Sequence, residues 1–142
     1  MKLCVIDGQG GGFGRHIINQ LRDGFAPELE IVALGTNAIA TAQMLKAGAN
    51  RGASGENAIV HSAPKVDAIL GHIGIVIPYA MMGEVTPRMA AAVADSPARK
   101  FLIPLSQENI TIAGVQALPL PRLVETMMTE ALRPFLRGLA AG

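Results

Sequence analysis

Five glycines stand within seven residues, at positions 8, 10, 11, 12 and 14, between a short apolar run and an amphipathic one. The apolar run, Leu3 to Ile6, ends at Asp7-Gly8 and has the pattern of a strand buried on both faces. After the glycines, Phe13, Ile17, Ile18 and Leu21 recur at helical spacing as far as Asp23, with Gly24 as a stop and Pro27 beyond it. A strand, a sharp turn and a helix in that order hold phosphate well, because the free N–H groups and the positive end of the helix dipole face the anion. Glycine suits such a turn: a Cβ would block the close approach of the backbone and forbid some of its dihedrals. The residues this pattern nominates as ligand-binding are Asp7, Gly8, Gln9, Gly10, Gly11, Gly12, Phe13, Gly14 and Arg15.

The rest of the chain continues the alternation. Leu29 to Leu34 has the pattern of a second strand, and Gly35-Thr36-Asn37 supplies a turn and an N-cap for a helix through about Ala47, closed by Gly48. Asn50 to Asn57 reads as a polar loop, with a short third strand at Ala58 to His61. Asp67 to Ile77 is too apolar for a loop and begins with a fourth strand, Gly71 and Gly74 marking where the chain turns or approaches something closely. Thr86-Pro87 makes an N-cap and N1 pair for a helix to about Asp95, which Ser96-Pro97 stops. Lys100 to Leu105 is a fifth strand. Only Ser106 to Asn109 separate it from Ile110 to Ala113, too few for a parallel crossover, so an antiparallel hairpin is expected there. Leu120 to Arg137 forms a terminal helix. Strands alternating with helices imply parallel pairing. The expected fold is one α/β domain over residues 1–142, a Rossmann-like three-layer sandwich whose mainly parallel sheet ends in a C-terminal antiparallel hairpin and a terminal helix.

Composition narrows the partners. Only 16% of the 142 residues are charged, against about 25% in soluble domains; a surface this poor in charge suggests a homo-oligomer, a dimer first of all. Twelve basic and 11 acidic residues with no block of one sign offer no footprint for nucleic acid. Cys4 is the only cysteine, so no intrachain disulfide and no cysteine-based zinc site forms, and His16, His61 and His72 lack metal-ligand spacing; no metal is expected. The first residues lack the apolar core of a secretory signal, and no apolar stretch approaches the roughly 20 residues that span a bilayer. A cytoplasmic protein with no membrane partner is the expectation.

Several residues have a functional and a structural reading. Asp7 ends the first strand, where a carboxylate meets a metal, a ribose hydroxyl, or the N–H groups of its own turn. Gly35, Thr36 and Asn37 lie at the carboxyl end of strand two, across the crevice where doubly wound sheets take ligands, but helix capping explains them equally well. Gly71 and His72 end strand four on the same edge; an imidazole there is a general acid or base, a ligand contact, or a structural group. Arg51, Ser54, Glu56 and Asn57 make the most polar loop. The strand placement above puts it opposite the crevice, so either it is a subunit contact or that placement is wrong. Glu84, Thr86 and Arg88 follow strand four on the crevice edge and either close over a ligand or start a helix. Leu123, Val124, Met127, Met128, Ala131, Leu132, Phe135 and Leu136, with Met81, Met82 and Met89, read as core or dimer contact.

The spacing Gly8-x-x-x-Gly12-Phe13-Gly14 resembles the short-chain dehydrogenase/reductase fingerprint, whose glycines at these three positions hold the pyrophosphate of NAD(P). Asp67-Ala-Ile-Leu-Gly71-His72-Ile73-Gly74 is similar to that family's strand-four segment, D-x-L-V-N-N-A-G, and Arg15 follows the last glycine as is common there. The resemblance implies a small phosphate-bearing ligand, NAD or NADP or otherwise another nucleotide. It stops short of catalysis: the family's Tyr-x-x-x-Lys pair is missing, since Gly83 stands four residues after Tyr79, the only tyrosine. The acid that would hydrogen-bond the adenosine ribose after strand two is replaced by Gly35-Thr36-Asn37; Thr36, Asn37 and Arg15 could instead accept an NADP 2′-phosphate.

Over the full length, the segments Val5-Ile-Asp-Gly-Gln-Gly-Gly-Gly, Ala33-Leu-Gly-Thr-Asn-Ala-Ile-Ala-Thr, Lys46-Ala-Gly-Ala-Asn-Arg-Gly-Ala-Ser-Gly-Glu-Asn-Ala-Ile-Val and Leu118-Pro-Leu-Pro resemble an uncharacterised bacterial family, domain of unknown function 3842. That resemblance implies a compact domain and no particular chemistry. The functional expectation is a nucleotide-binding module acting as sensor or regulatory subunit. The alternatives are a small enzyme on a nucleotide-linked or phosphorylated substrate, with His72 as catalytic acid/base and Arg15 as anion clamp, or a structural oligomer without ligand.

Overall fold

Strand β1 (Lys2–Asp7) sends alternate side chains to opposite faces, and both faces are covered: Leu3 and Val5 join one apolar core, Cys4 and Ile6 the other. A strand between two helical layers has no wet side, which is why the run is uniformly apolar. The computed structural model describes residues 1–25, 28–105 and 109–141. Strands β1, β2 (Glu30–Gly35), β3 (Arg51–Ser54), β4 (Ala68–His72) and β5 (Arg99–Ile103) pair in parallel in the order β3-β2-β1-β4-β5. Cys4 lies opposite Val32 on one side and Ile69 on the other. It is fully buried, and burial pushes its thiol up.

Helices α1 (Gly12–Gly24) and α2 (Ala38–Lys46) cover one face together with the terminal helices α5 (Leu120–Thr126) and α6 (Arg133–Ala141). A π-helical stretch, Met127–Leu132, joins these last two. Helices α3 (Glu56–Ser62) and α4 (Pro87–Asp95) cover the opposite face. Ile17, Ile18 and Leu21 of α1 are buried together in the first core, each burial contributing about 1.5–3 kcal/mol. Val124, Met127, Met128 and Leu132 join them, while Met81 and Met89 belong to the second core; of the two readings of this group, core or dimer contact, these six residues are core. The caps fall as the sequence suggests: Asn37 accepts from Ala40 N at 2.9 Å and Thr86 from Met89 N at 3.2 Å. No described helix is long and apolar enough to cross a membrane.

A five-strand parallel sheet with helices on both sides is compatible with a Rossmann-like fold. From β1 the chain steps outward to β2 and β3, then crosses back to β4 and β5. The carboxyl ends of β1 and β4 thus flank the point where the order reverses, the position at which such sheets take ligands.

Three expectations are corrected. Residues 51–54, read as part of a loop, are strand β3, and Ala58 to His61, read as a strand, lie in α3. All four β3 residues are exposed, and its register runs from Val32 opposite Arg51 to Gly35 opposite Ser54. Edge strands are often polar, so β3 lacks the apolar alternation that marks an inner strand. The three-residue apolar run at Ala58 is too short to distinguish strand from helix, and α3 uses it to bury Ile59. It follows that Ser54 reaches the same sheet edge as Gly35 rather than the opposite one. Glu56 then accepts from Thr86 Oγ1 at 2.6 Å and Arg88 Nη1 at 3.3 Å, tying α3 to α4.

The C-terminal antiparallel hairpin is not formed: among the described residues the sheet ends at β5, and residues 110–113 are not strand. Residues 106–108, within its expected turn, lie outside the described residues. Ile110 and Ile112 instead line an apolar cavity of about 330 Å³ with Ile73, Leu105, Val115, Leu118 and Leu123, so their alternation serves side-chain contact and not a strand ladder.

Candidate functional site

Where β1 ends, the Asp7 carboxylate accepts from Gly14 N at 2.7 Å and stitches the strand to the first turn of α1. This is the bonding to its own turn that the position of Asp7 allowed. Burial pushes its carboxyl above the ordinary range against the N–H groups of Gly14 and Gly8 and against His72; the Glu84 charge adds to the rise.

The five glycines of the turn divide into two groups. A Cβ on Gly8 would lie 2.5 Å from Thr36 Oγ1 and 2.9 Å from Glu84 Oε1, and one on Gly14 would lie 2.5 Å from Met44 Sδ. Gly11 has φ +78°, and its Cβ would press on the Ala40 backbone at 2.8 Å. Those three glycines are required by the protein's own packing. Gly10 and Gly12 are not: a Cβ on either would meet nothing within 4 Å, and neither has a left-handed φ. The N–H groups of Gly10, Gly12 and Phe13 have no hydrogen-bond acceptor among the described residues.

These residues border a cavity of about 110 Å³ lined by Asp7, Gly8, Gln9, Gly10, Gly11, Gly12, Phe13 and His72, together with Met81 and Leu105. His72 ends β4 with its side chain buried; its Nδ1 accepts from Gly74 N at 3.0 Å. In a neutral ring the proton therefore sits on Nε2, which lies 3.4 Å from Met81 Sδ and 3.9 Å from Asp7 Oδ1. Phe13 meets the imidazole edge-on, with ring centroids 5.4 Å apart.

Glu84, on the segment between β4 and α4, ties the glycine turn to the residues that follow β2. Its Oε1 accepts from Gln9 N at 2.8 Å, Thr36 Oγ1 at 2.6 Å and Asn37 Nδ2 at 2.9 Å. Partial burial pushes the carboxyl up, but the three donors outweigh it and hold the group below its ordinary range.

The structure thus gathers the turn and His72 at one cavity and sets Thr36 and Asn37 beside it. Gly35 and Gly71 lie inside the sheet; Gly35 abuts Thr41, and a Cβ on Gly71 would meet Ile75 Cδ1 at 2.8 Å. Arg15 is exposed; its backbone N–H donates to Gly11 O at 2.9 Å, and its side chain makes no hydrogen bond or ion pair with the described residues. His61 bonds Lys65 at 3.0 Å on the α3 side of the sheet, apart from the turn. The described residues contain no group of three or more His, Cys, Asp or Glu placed to hold a metal. Met81 and Leu105 were not foreseen as lining residues, and apolar side chains at such positions carry no local signal. For Glu84 the signal was only its place after strand four. Its partners are 47, 48 and 75 residues away.

No curated protein and no solved structure matches the sequence. A family model does, over residues 2–135, and it is described as a domain of unknown function, DUF3842. Since this match takes in nearly the whole chain, the protein belongs to the DUF3842 family.

Proposed function

We propose that this chain is a nucleotide-binding protein, of sensor or regulatory type, that holds the ligand's phosphates at the start of α1. The carrying observation is a pair of glycines whose added Cβ would meet nothing among the described residues: Gly10 and Gly12 leave open space beside three N–H groups that lack acceptors among those residues, at the edge of a cavity of about 110 Å³. Glycine in that position costs unfolded-chain entropy and gives no packing in return, so room for a ligand is the compensating reason. The positive end of α1 favours an anion there. A dinucleotide of the NAD type is the first candidate ligand. Binding is favoured over acid/base turnover by the bonding of His72: with Nδ1 accepting from Gly74 N, the neutral ring offers a donor at Nε2 and no vacant base.

Thermal unfolding with NAD, NADP, ATP and inorganic pyrophosphate tests the proposal. A ligand at a hundred times its Kd adds about 2.7 kcal/mol, a rise of several degrees. Gly12→Val should abolish the rise while leaving the unliganded midpoint nearly unchanged. No rise with any of the four at millimolar concentration removes the proposal.

A further inference from the structure

An acid does stand at the end of β2, delivered from a distant part of the chain. The strand ends in Gly35 and continues into Thr36 and Asn37, neither of them acidic. Glu84 bonds both of their side chains and the Gln9 N–H, and all three bonds fall on Oε1. Oε2 accepts no hydrogen bond from the described residues, and the side chain is only half-buried. One oxygen of a charged carboxylate, held by three hydrogen bonds on its other oxygen, is therefore left without a donor among the described residues, between the glycine turn and the end of β2.

A carboxylate beside a phosphate-binding turn repels phosphate and accepts from hydroxyls. We infer that Glu84 is the acceptor for the ribose hydroxyls of the bound nucleotide, so that the site takes a ribonucleoside 5′-diphosphate moiety with a free 2′-hydroxyl and excludes one phosphorylated at that position. This rests on the nucleotide reading above. The sequence-based expectation that Thr36 and Asn37 receive a 2′-phosphate is set against it, because their side-chain donors are already spent on Glu84 and, for Asn37, on the Gln9 carbonyl as well. A 2′-phosphate would also bring a second anion against a carboxylate that is itself charged, and like charges at that range repel.

Isothermal titration of the purified chain with NAD, NADP, ADP and 2′-deoxy-ADP separates the possibilities. Wild type should bind NAD at least about 30-fold more tightly than NADP, and ADP about 10-fold more tightly than 2′-deoxy-ADP, as loss of a charge-assisted hydrogen bond dictates. Glu84→Gln should weaken NAD by about 10-fold and bring NAD and NADP within about threefold of each other. Equal binding of NAD and NADP by wild type overturns the inference without any variant. So does a Glu84→Gln or Glu84→Ala protein that binds every nucleotide more tightly, since Glu84 would then be a plug on the site. Absence of binding by wild type and variants alike defeats the phosphate site itself and this inference with it.

Discussion

Two turns meet at the mouth of the crevice, and they reach their shapes by opposite means. In the turn between β1 and α1, the left-handed conformation at Gly11 is met by the one residue type that adopts it freely, and only Gln9 (φ 50°) departs from that rule. In the segment between β4 and α4, Tyr79 (φ 69°), Met81 (φ 56°) and Met82 (φ 58°) are all left-handed without being glycine. Each such residue costs about 1–2 kcal/mol. The surroundings impose it: Ala80, Met81 and Val85 are buried, and Tyr79 N bonds Val85 O at 2.7 Å while Val85 N bonds Ala80 O at 3.1 Å. One turn is shaped by its own composition, the other by what it packs against. The second is the one that carries Glu84, so the acid's position depends on tertiary structure that no local pattern encodes.

Substitutions can break that contrast. The largest effect is expected from Gly11→Ala, which adds left-handed strain and a Cβ 2.8 Å from Ala40 Cα and 2.9 Å from its carbonyl oxygen. Urea unfolding should show a loss of about 3 kcal/mol, and a loss below about 1 kcal/mol would mean that α1 and α2 are not in contact there. Glu84→Gln comes next, at about 1 kcal/mol near neutral pH, because the carboxylate is only half-buried and solvent screens its three bonds. The folded Glu84 carboxyl lies below its unfolded value, so its stabilisation is present above the ordinary carboxylate range and is lost as pH falls through the folded value. The gap between wild type and Glu84→Gln should accordingly close on acidification; a gap independent of pH would point to shape, not charge. The smallest effect, and the one of opposite sign, belongs to Met82→Gly. Relief of left-handed strain at this exposed residue should exceed glycine's entropic cost and raise stability by up to about 1 kcal/mol. Destabilisation by Met82→Gly would show that the segment stores no strain.

The same contrast explains what could be read in advance. The signals at β1, the glycine turn, α1 and the Thr86-Pro87 cap are local, written in adjacent residues, and the structure follows them. β3 was hidden because an exposed edge strand has no apolar face to betray it, and α3 because Ile59 alone does the burying. Ile110 and Ile112 misled for the converse reason: an alternation that signals a strand was spent on lining a cavity. At the site, the glycines were legible as a group but not their division. Only coordinates separate Gly8, Gly11 and Gly14, which neighbouring atoms require, from Gly10 and Gly12, where a Cβ would meet nothing among the described residues.

Cys4, the lone thiol, sits in the middle strand of five, fully enclosed, with burial opposing formation of the reactive thiolate. An alkylating reagent can reach it only once β1 has been parted from its neighbours. Its labelling rate is thus a native clock for opening of the sheet's centre, indifferent to fraying at either edge, and it requires no engineered probe.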